Sequence, residues 1–393
     1  MRLDRAAAAL AAAMLLLAAC AVPPPAGGEA VRLTPVGFDA LPGWGTDAHA
    51  AAMAAFARSC ARLAMLPPDQ SLGGSGEIAR LGGQAGQWSA VCAAARATPP
   101  GDAVAARRVF EAGLQPYAVS AAVEGRYTGY YEPEVAGART PTGPFRTPLL
   151  RRPNDLVTAE LGDFADDLKG HHIAGRVAAG RLVPYYDRAQ IDAGLLDSQR
   201  LGLVWLESPI DAFFLQVQGA GRVRLPTGRI VRVAYDAQNG RPYVPIGKVL
   251  VERGALAADA VSMQSIRAWL AAHPSEARAV METNPSYVFF REVTGIPESE
   301  GPPGAFGTPL TPGRSAAVDR AFIPLGAPLF IATTDPLGGA PWQRLVVAQD
   351  RGAAITGPLR ADIFLGWGAE AEARAGRMNQ RGTEFLLLPR PTN

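Results

Sequence analysis

The sequence predicts a mainly β protein with a helical N-terminal region, a β-barrel domain and a second β-rich domain inserted into it. Three observations predict this. The 393 residues hold 43 glycines and 34 prolines, which together with short Val-rich runs means many turns between short strands rather than a helix bundle. Residues 45 to 115 are Ala-rich, with apolar positions recurring near a helical period. The chain is 48% hydrophobic and only 19% charged, so it can bury substantial cores, and its length leaves room for two or three domains. Lys plus Arg at 38 against Asp plus Glu at 36 gives +2, which argues against a nucleic-acid partner held through phosphate contacts.

Residues 1–19 read as a secretory signal, with Arg2 and Arg5 ahead of an apolar run too short to be a comfortable membrane span. Leu17-Ala18-Ala19-Cys20 is similar to the bacterial lipobox, in which the Cys becomes a lipid-bearing N-terminus; the alternative is a plain leader with a coincidental Cys. The expectation is a lipidated tether over 20–33, anchored to a membrane rather than spanning it. Ala21 stands where an Asp would suggest inner-membrane retention, so sorting patterns favour the periplasmic face of the outer membrane.

Met53, Phe56, Cys60, Leu63 and Met65 recur near a helical period until Pro67-Pro68 ends the run. Further helices are expected over 87–97 and 104–112. At 123–135, VEGRYTGYYEPEV, aromatic residues alternate with polar ones as in a strand. From about 140 to 298, short apolar runs (181–185, 202–206, 212–218, 222–224 and 230–234) separated by Gly, Pro and Asp predict the second β-rich domain. Two helices interrupt it, SMQSIRAWLAAH from 262 and SEARAVMETN from 275. Residues 300–393 return to short strands with glycine turns, a pattern that by itself says all-β barrel or sandwich.

The chain is organised around Ala348 to Gly366, where Asp350 and Asp362 bracket a turn of Gly352, Gly357 and Pro358. Apolar residues precede Asp350 and follow Asp362, so each carboxylate is expected at a strand end beside buried backbone. Such a carboxylate finds hydrogen-bond donors or has its pKa raised, and a raised pKa suits a general acid near neutral pH. The plain alternative is a hairpin whose aspartates cap turns. Tyr130 and Tyr131 offer flat faces and hydroxyls that suit saccharide rings, or are ordinary strand residues. Glu132 is the other carboxylate considered for chemistry, or for holding a sugar hydroxyl or turn amide ahead of Pro133. Gln216 and Gln218 in FFLQVQGAG would project to one side of a strand, either binding hydroxyls and N-acetyl groups or merely facing water. Tyr287 and Arg291, with Phe289, repeat that alternation. Asp319, beside Arg320 at a strand start, suits an ion pair or a cap.

Cys60 and Cys92 could form a disulfide in an oxidising compartment or pack as two buried thiols. The four histidines are scattered and no Cys or His spacing matches a zinc ligand set. There is no GxSxG elbow, Walker loop or dinucleotide fingerprint. Neither a metal nor a cofactor is expected.

VDRAFIPLG (318–326), AQDRGAAITG (348–357) and LRADIFLGWG (359–368) resemble the three-aspartate signature of the membrane-bound lytic transglycosylase A family, peptidoglycan-cleaving lipoproteins. GRYTGYYEPEV (125–135), FFLQVQGAGRVRLPTG (213–228), PYVPIGKVLVERG (242–254), SMQSIRAWL (262–270) and NPSYVFFR (284–291) agree in order, so the resemblance covers nearly all of the chain after about residue 120. The family more often reads DTGGAIKG, so Arg351, Ala353 and Thr356 are departures, and they weaken any role for a Lys at 356. The resemblance implies a double-psi β-barrel built from 34–140 and 299–393, a substrate-binding domain inserted at 141–298, and a groove between them for a long polymer. It also implies lytic cleavage between N-acetylmuramic acid and N-acetylglucosamine with closure of a 1,6-anhydro ring. Asp362 matches the catalytic aspartate of the D-x-F-x-G segment and Asp350 takes a supporting role. Tyr130, Tyr131, Glu132, Gln216, Gln218, Tyr287, Arg291 and Asp319 are grouped as substrate-side residues. The alternatives are a hydrolase pairing Asp362 with Asp350 or Glu132, and a non-catalytic wall-binding module. Expected partners are peptidoglycan strands, a membrane through Cys20, and cell-wall synthesis or division proteins.

Overall fold

Six strands close into a barrel: β1 Gly125–Glu132, β2 Ser315–Val318, β3 Pro328–Thr334, β4 Pro341–Asp350, β5 Arg360–Trp367 and β6 Asn379–Pro389. This architecture is taken from a computed structural model that describes residues 31–168, 171–352 and 355–390; the expected signal, Cys20, nearly all of the tether and Ala353 lie outside the described residues. Around the barrel the order is β1, β5, β2, β4, β3, β6, with β6 returning to β1. The pairs β1–β5 and β2–β4 are parallel, and the other four pairings are antiparallel. Closure removes free edges. On β2 and β5 the two-residue period sends Ala316, Val318, Ala361 and Ile363 into the core and leaves Ala317, Asp362 and Phe364 on the outward side.

Four helices, His49–Leu63, Gly76–Gly82, Ser89–Ala97 and Ala103–Gly113, pack on the barrel. Phe56, Trp88 and Phe110 are fully buried in one cluster with Phe330, Leu386 and Val347. Cys60 and Cys92 form a disulfide, with an S–S distance of 2.05 Å and Cα atoms 5.0 Å apart, joining the first and third of these helices. The helix Gly76–Gly82 is absent from the sequence reading.

The second sheet has six strands in the order Val288–Val293, Ile230–Gln238, Ala220–Arg224, Glu134–Ala138, Gly202–Leu206 and Thr147–Leu150. A separate three-stranded sheet holds Val157–Glu160, His172–Ala178 and Arg181–Pro184. The run 212–218, expected as a strand, is helical: it belongs to Pro209–Gln218. Ser208 accepts from the Asp211 amide at 3.2 Å, Pro209 opens the first turn, and Gly219 ends it at φ 76°, the usual start and stop chemistry of a helix. Its continuous apolarity has a tertiary cause. Ala212 and Leu215 pack on the six-stranded sheet, while Phe213 and Phe214 pack against helices Ile246–Glu252, Met263–Ala272 and Pro274–Met281.

Candidate active site

Asp350 and Asp362 are not two sides of a hairpin. Asp350 ends β4, but Asp362 is the third residue of β5 rather than a strand end, and β2 runs between the two strands. Ala317 of β2 is in register with Asp350 on one side and with Asp362 on the other, so two strand spacings separate their backbones by about 10 Å. A bulge makes this alignment possible. The register passes from Ala316–Ala348 directly to Ala317–Asp350, leaving Gln349 as the extra residue. Gln349 is fully buried, and its amide donates to the Ala55 carbonyl and to Ser59 Oγ, each at 2.9 Å. Without the bulge a one-residue slip would turn Asp350 to the opposite face.

The two carboxylates have different surroundings. Asp350 Oδ2 accepts from the Tyr130 hydroxyl at 2.8 Å and Oδ1 from the Ala305 amide at 2.8 Å. Burial, and then the Asp350 charge, hold the Tyr130 hydroxyl well above its ordinary pKa, so it stays a neutral donor. Asp362 Oδ1 accepts from Thr128 Oγ1 at 2.6 Å, Thr128 being its direct register partner on β1. Burial pushes the Asp362 carboxyl above the usual carboxylate range; Thr128 and Arg360 oppose that, and the Asp350 charge adds to it. Tyr130 also packs at a tilt against Phe364, with ring centres 5.4 Å apart. The segment carrying Ala305 lies over Phe364 closely enough that a Cβ on Gly301 would meet its ring at 2.4 Å.

Asp319 follows β2 rather than starting a strand, and it makes no ion pair with Arg320. Its carboxylate accepts from the Ala321 amide at 2.9 Å and the Gly357 amide at 2.8 Å, which braces the turn before β5 where Gly357 sits at φ 102°. Arg320 instead donates to the carbonyls of Leu72 and Ser71. With a backbone amide on each oxygen, Asp319 braces this turn. Arg351 and Thr356 are exposed on either side of that turn.

Glu132 is likewise removed from the substrate side. Its side chain is 1% exposed and accepts from Arg232 Nε at 2.9 Å and Nη2 at 3.4 Å. Next along, Glu134 accepts from Arg222 Nε at 2.9 Å, and the Arg222 guanidinium lies 4.1 Å from the centre of the Trp367 ring. These pairs fasten β1 and β5 of the barrel to the six-stranded sheet. Gln216 and Gln218 lie on a helix, where two residues turn side chains about 200° apart: Gln216 is buried and Gln218 exposed. Tyr287 is 3% exposed in a cluster with Phe289, whereas Arg291 is exposed. Tyr131 is half-buried; its hydroxyl and the Gln218 amide lie 3.9 and 4.0 Å from the Met263 sulfur, so these two meet at the seam between barrel and second sheet. Thr128 and Gln349 were missed by the sequence reading. Thr128 precedes Tyr130 by two on the same strand, and that shared face was the available signal; the bulge at Gln349 left none. Among the described residues no group of three or more His, Cys, Asp or Glu could hold a metal ion, and no helix is long and apolar enough to cross a membrane.

Comparison with known proteins places the chain among relatives of the same fold. The MltA specific insert domain matches residues 126–291 and the 3D domain matches 314–388. The membrane-bound lytic murein transglycosylase A of Escherichia coli K12 is 34% identical over 274 residues, covering 68% of this chain and 66% of its own length. The crystal structure of MltA from Neisseria gonorrhoeae superposes with a TM-score of 0.77 at 32% identity, covering 95% of each chain. That of Escherichia coli MltA with bound chitohexaose gives 0.61 at 29% identity, covering 91% of this chain and 95% of that one. The chain therefore belongs to the membrane-bound lytic murein transglycosylase A family.

Proposed function

We propose that this protein cleaves peptidoglycan glycan strands between N-acetylmuramic acid and N-acetylglucosamine, leaving 1,6-anhydromuramic ends. The observation that carries this reading is the unequal environment of Asp350 and Asp362, one with both oxygens accepting from protein donors and the other with a pKa raised by burial. Asp362 as a protonated acid gives its proton to the glycosidic oxygen. As the resulting base it then takes the proton of the muramic C6 hydroxyl while that oxygen attacks C1, so the same group ends the cycle protonated. One carboxyl group suffices, whereas delivery of water ordinarily needs a pair. Asp350 adjusts the proton affinity of Asp362, and Tyr130, Tyr131 and Gln218 stand nearest the path of the glycan. A related Escherichia coli enzyme has been crystallised with chitohexaose, a β-1,4-linked glycan, which supports a saccharide substrate.

The parallel pairs β1–β5 and β2–β4, which an up-and-down barrel would lack, support a double-psi barrel. In this reading the barrel domain is 34–140 plus 299–393, and 141–298 is the inserted substrate-binding domain. A lipid on Cys20 holds the enzyme at the periplasmic face of the outer membrane; relatives carry the description membrane-bound. Cell-wall synthesis or division proteins are its candidate partners. Digestion of purified sacculi followed by mass analysis tests the activity. Anhydro-muropeptides are expected; free reducing ends would mean a hydrolase, and no released fragment would mean a binding module. Cys20→Ser is expected to move the protein from membranes to the soluble fraction, and unchanged membrane association in that variant would refute the anchor.

A further inference from the structure

The bulge residue Gln349 joins three parts of the molecule. Its side-chain amide donates to the helix His49–Leu63 at the Ala55 carbonyl and at Ser59 Oγ, each at 2.9 Å. Its Oε1 accepts from Ser315 Oγ at 2.5 Å, and Ser315 Oγ in turn accepts from the Thr311 amide at 2.7 Å. Its backbone carbonyl accepts from the Phe306 amide at 3.0 Å. The residue before Phe306 is Ala305, whose amide donates to Asp350.

The loop 300–313 that carries these amides is fixed by the same helix. Arg58 donates to Glu300 Oε1 at 2.5 Å and to Thr311 Oγ1 at 2.7 Å. Between these ends the Gly301 amide donates to the Leu310 carbonyl at 2.7 Å and the Leu310 amide to the Pro302 carbonyl at 3.0 Å, and Phe306 is buried in the cluster that holds Leu63. A buried amide is costly to leave unpaired, and both hydrogens of this one are used, so the Gln349 side chain has one orientation. A position that needed only volume would be filled by an apolar side chain. The bulge is what makes the arrangement demanding, because two residues of β4 face one of β2 there and a slip by one would turn Asp350 to the other face. Gln349 pins that extra residue from the helix, from β2 and from the loop at once.

We propose that Gln349 is a positioning residue of this active site, holding Asp350 and the loop of its donor Ala305 in place so that the Asp350 carboxylate stands on the same side of the barrel as Asp362. The inference deepens the proposed reading of the two aspartates and rests on it for its bearing on turnover. Apart from Asp350, the side chains that act on Asp362 are Thr128 on β1 and Arg360 on its own strand, and neither touches Gln349.

Two measurements on the full-length protein test it. Carbon-13 carboxyl NMR follows the titration of Asp362, assigned by its loss in Asp362→Asn, and the alkaline limb of kcat/KM for fragment release from sacculi follows it in turnover. Asp350→Asn removes a neighbouring negative charge and is expected to lower both by up to about one pH unit, the reach of a unit charge across two strand spacings. Gln349→Leu is expected to lower both by a part of that shift, and to add nothing in the Asp350→Asn background. Ser59→Ala removes one acceptor of the Gln349 amide and leaves the Ala55 carbonyl, so a smaller shift of the same sign is expected, and it decides the matter should Gln349→Leu fail to fold. An Asp362 titration that stays in place in the folded variants, or that moves equally with and without Asp350, would overturn the inference and leave the proposed activity standing. The expected NMR shifts in a protein that releases no fragments would uphold the positioning and sink the activity.

Discussion

Thr128→Val changes one hydrogen bond and so tests whether Asp362 is the proton donor. Thr128 donates to Asp362 at 2.6 Å in a part-buried setting, and a donor of this kind stabilises the ionised carboxylate. A hydrogen bond to a charged group contributes about 1.5–3 kcal/mol, and each pH unit corresponds to about 1.4 kcal/mol. Solvent entering beside valine recovers part of that, so roughly one pH unit of displacement remains. The direction follows from the chemistry: losing a donor to the anion raises its pKa further. Because the first step needs Asp362 protonated, the alkaline limb of kcat/KM reports that pKa and moves up in Thr128→Val, while Thr128→Ser restores the wild-type profile. Asp350→Asn acts the other way. Removing a neighbouring negative charge that raises Asp362 moves the alkaline limb down, with turnover retained. The assay is release of soluble fragments from labelled sacculi across pH 4 to 9. An alkaline limb that stays in place in Thr128→Val, or that moves the same way in both variants, would refute the assignment.

Asp362→Asn is expected to lose roughly 10³-fold or more in rate, one group serving both proton steps, with its thermal midpoint near wild type; a normal rate in a folded variant would reverse the roles of the aspartates. Glu384 stands inside the barrel with both oxygens buried and without hydrogen-bond partners, and burial pushes it up to about 8 from 4.5, the Tyr127 hydroxyl only partly offsetting this. A raised folded pKa gives stability that is fully present below pH 4.5 and is lost as pH rises towards 8 and above, at most roughly 5 kcal/mol at about 1.4 kcal/mol per unit; Glu384→Gln should flatten that loss in denaturant titrations from pH 5 to 8.5, and parallel wild-type and variant curves would show Glu384 to be ionised throughout. The disulfide closes a separation of 32 residues, so Cys60→Ala with Cys92→Ala should cost about 3–4 kcal/mol in urea unfolding, with no change in product chemistry.

The aspartates were legible from sequence because they interrupt apolar runs, but their relation was not. Asp350 and Asp362 are twelve positions apart across glycines and a proline, which reads as a hairpin, and only tertiary pairing shows that a strand from residues 315–318 enters between them. Glu132 illustrates another limit. An acidic residue amid tyrosines looks like a sugar contact, yet its partner Arg232 stands 100 positions away, and no local pattern announces a long-range ion pair. The helix Pro209–Gln218 was misread although Ser208, Pro209 and Gly219 carried start and stop signals, because a helix buried on both sides loses the amphipathic period that would have outweighed the apolar run. The expected shared face of Gln216 and Gln218 went with it, since on the helix one is buried and the other exposed.

In the proposed reaction, one carboxyl group rather than two would carry the chemistry because of how the oxygens are occupied. A hydrolase of the ordinary kind needs a second carboxylate free to take a proton from water. Among the described residues Asp350 is the carboxyl group in register, and both of its oxygens are already occupied, accepting from Tyr130 and the Ala305 amide. Glu132 is held by Arg232 at the far end of β1, and Asp319 by two backbone amides. Asp362 alone accepts a single donor from the protein, Thr128, and among the described residues its second oxygen has none. A group with one oxygen fixed and one open can give a proton to the leaving oxygen and receive one from a hydroxyl of the same sugar without changing its orientation. Among the described residues no second carboxyl group of this site has a free oxygen to bring water to C1, so the proposed reaction uses the intramolecular nucleophile of the muramic residue.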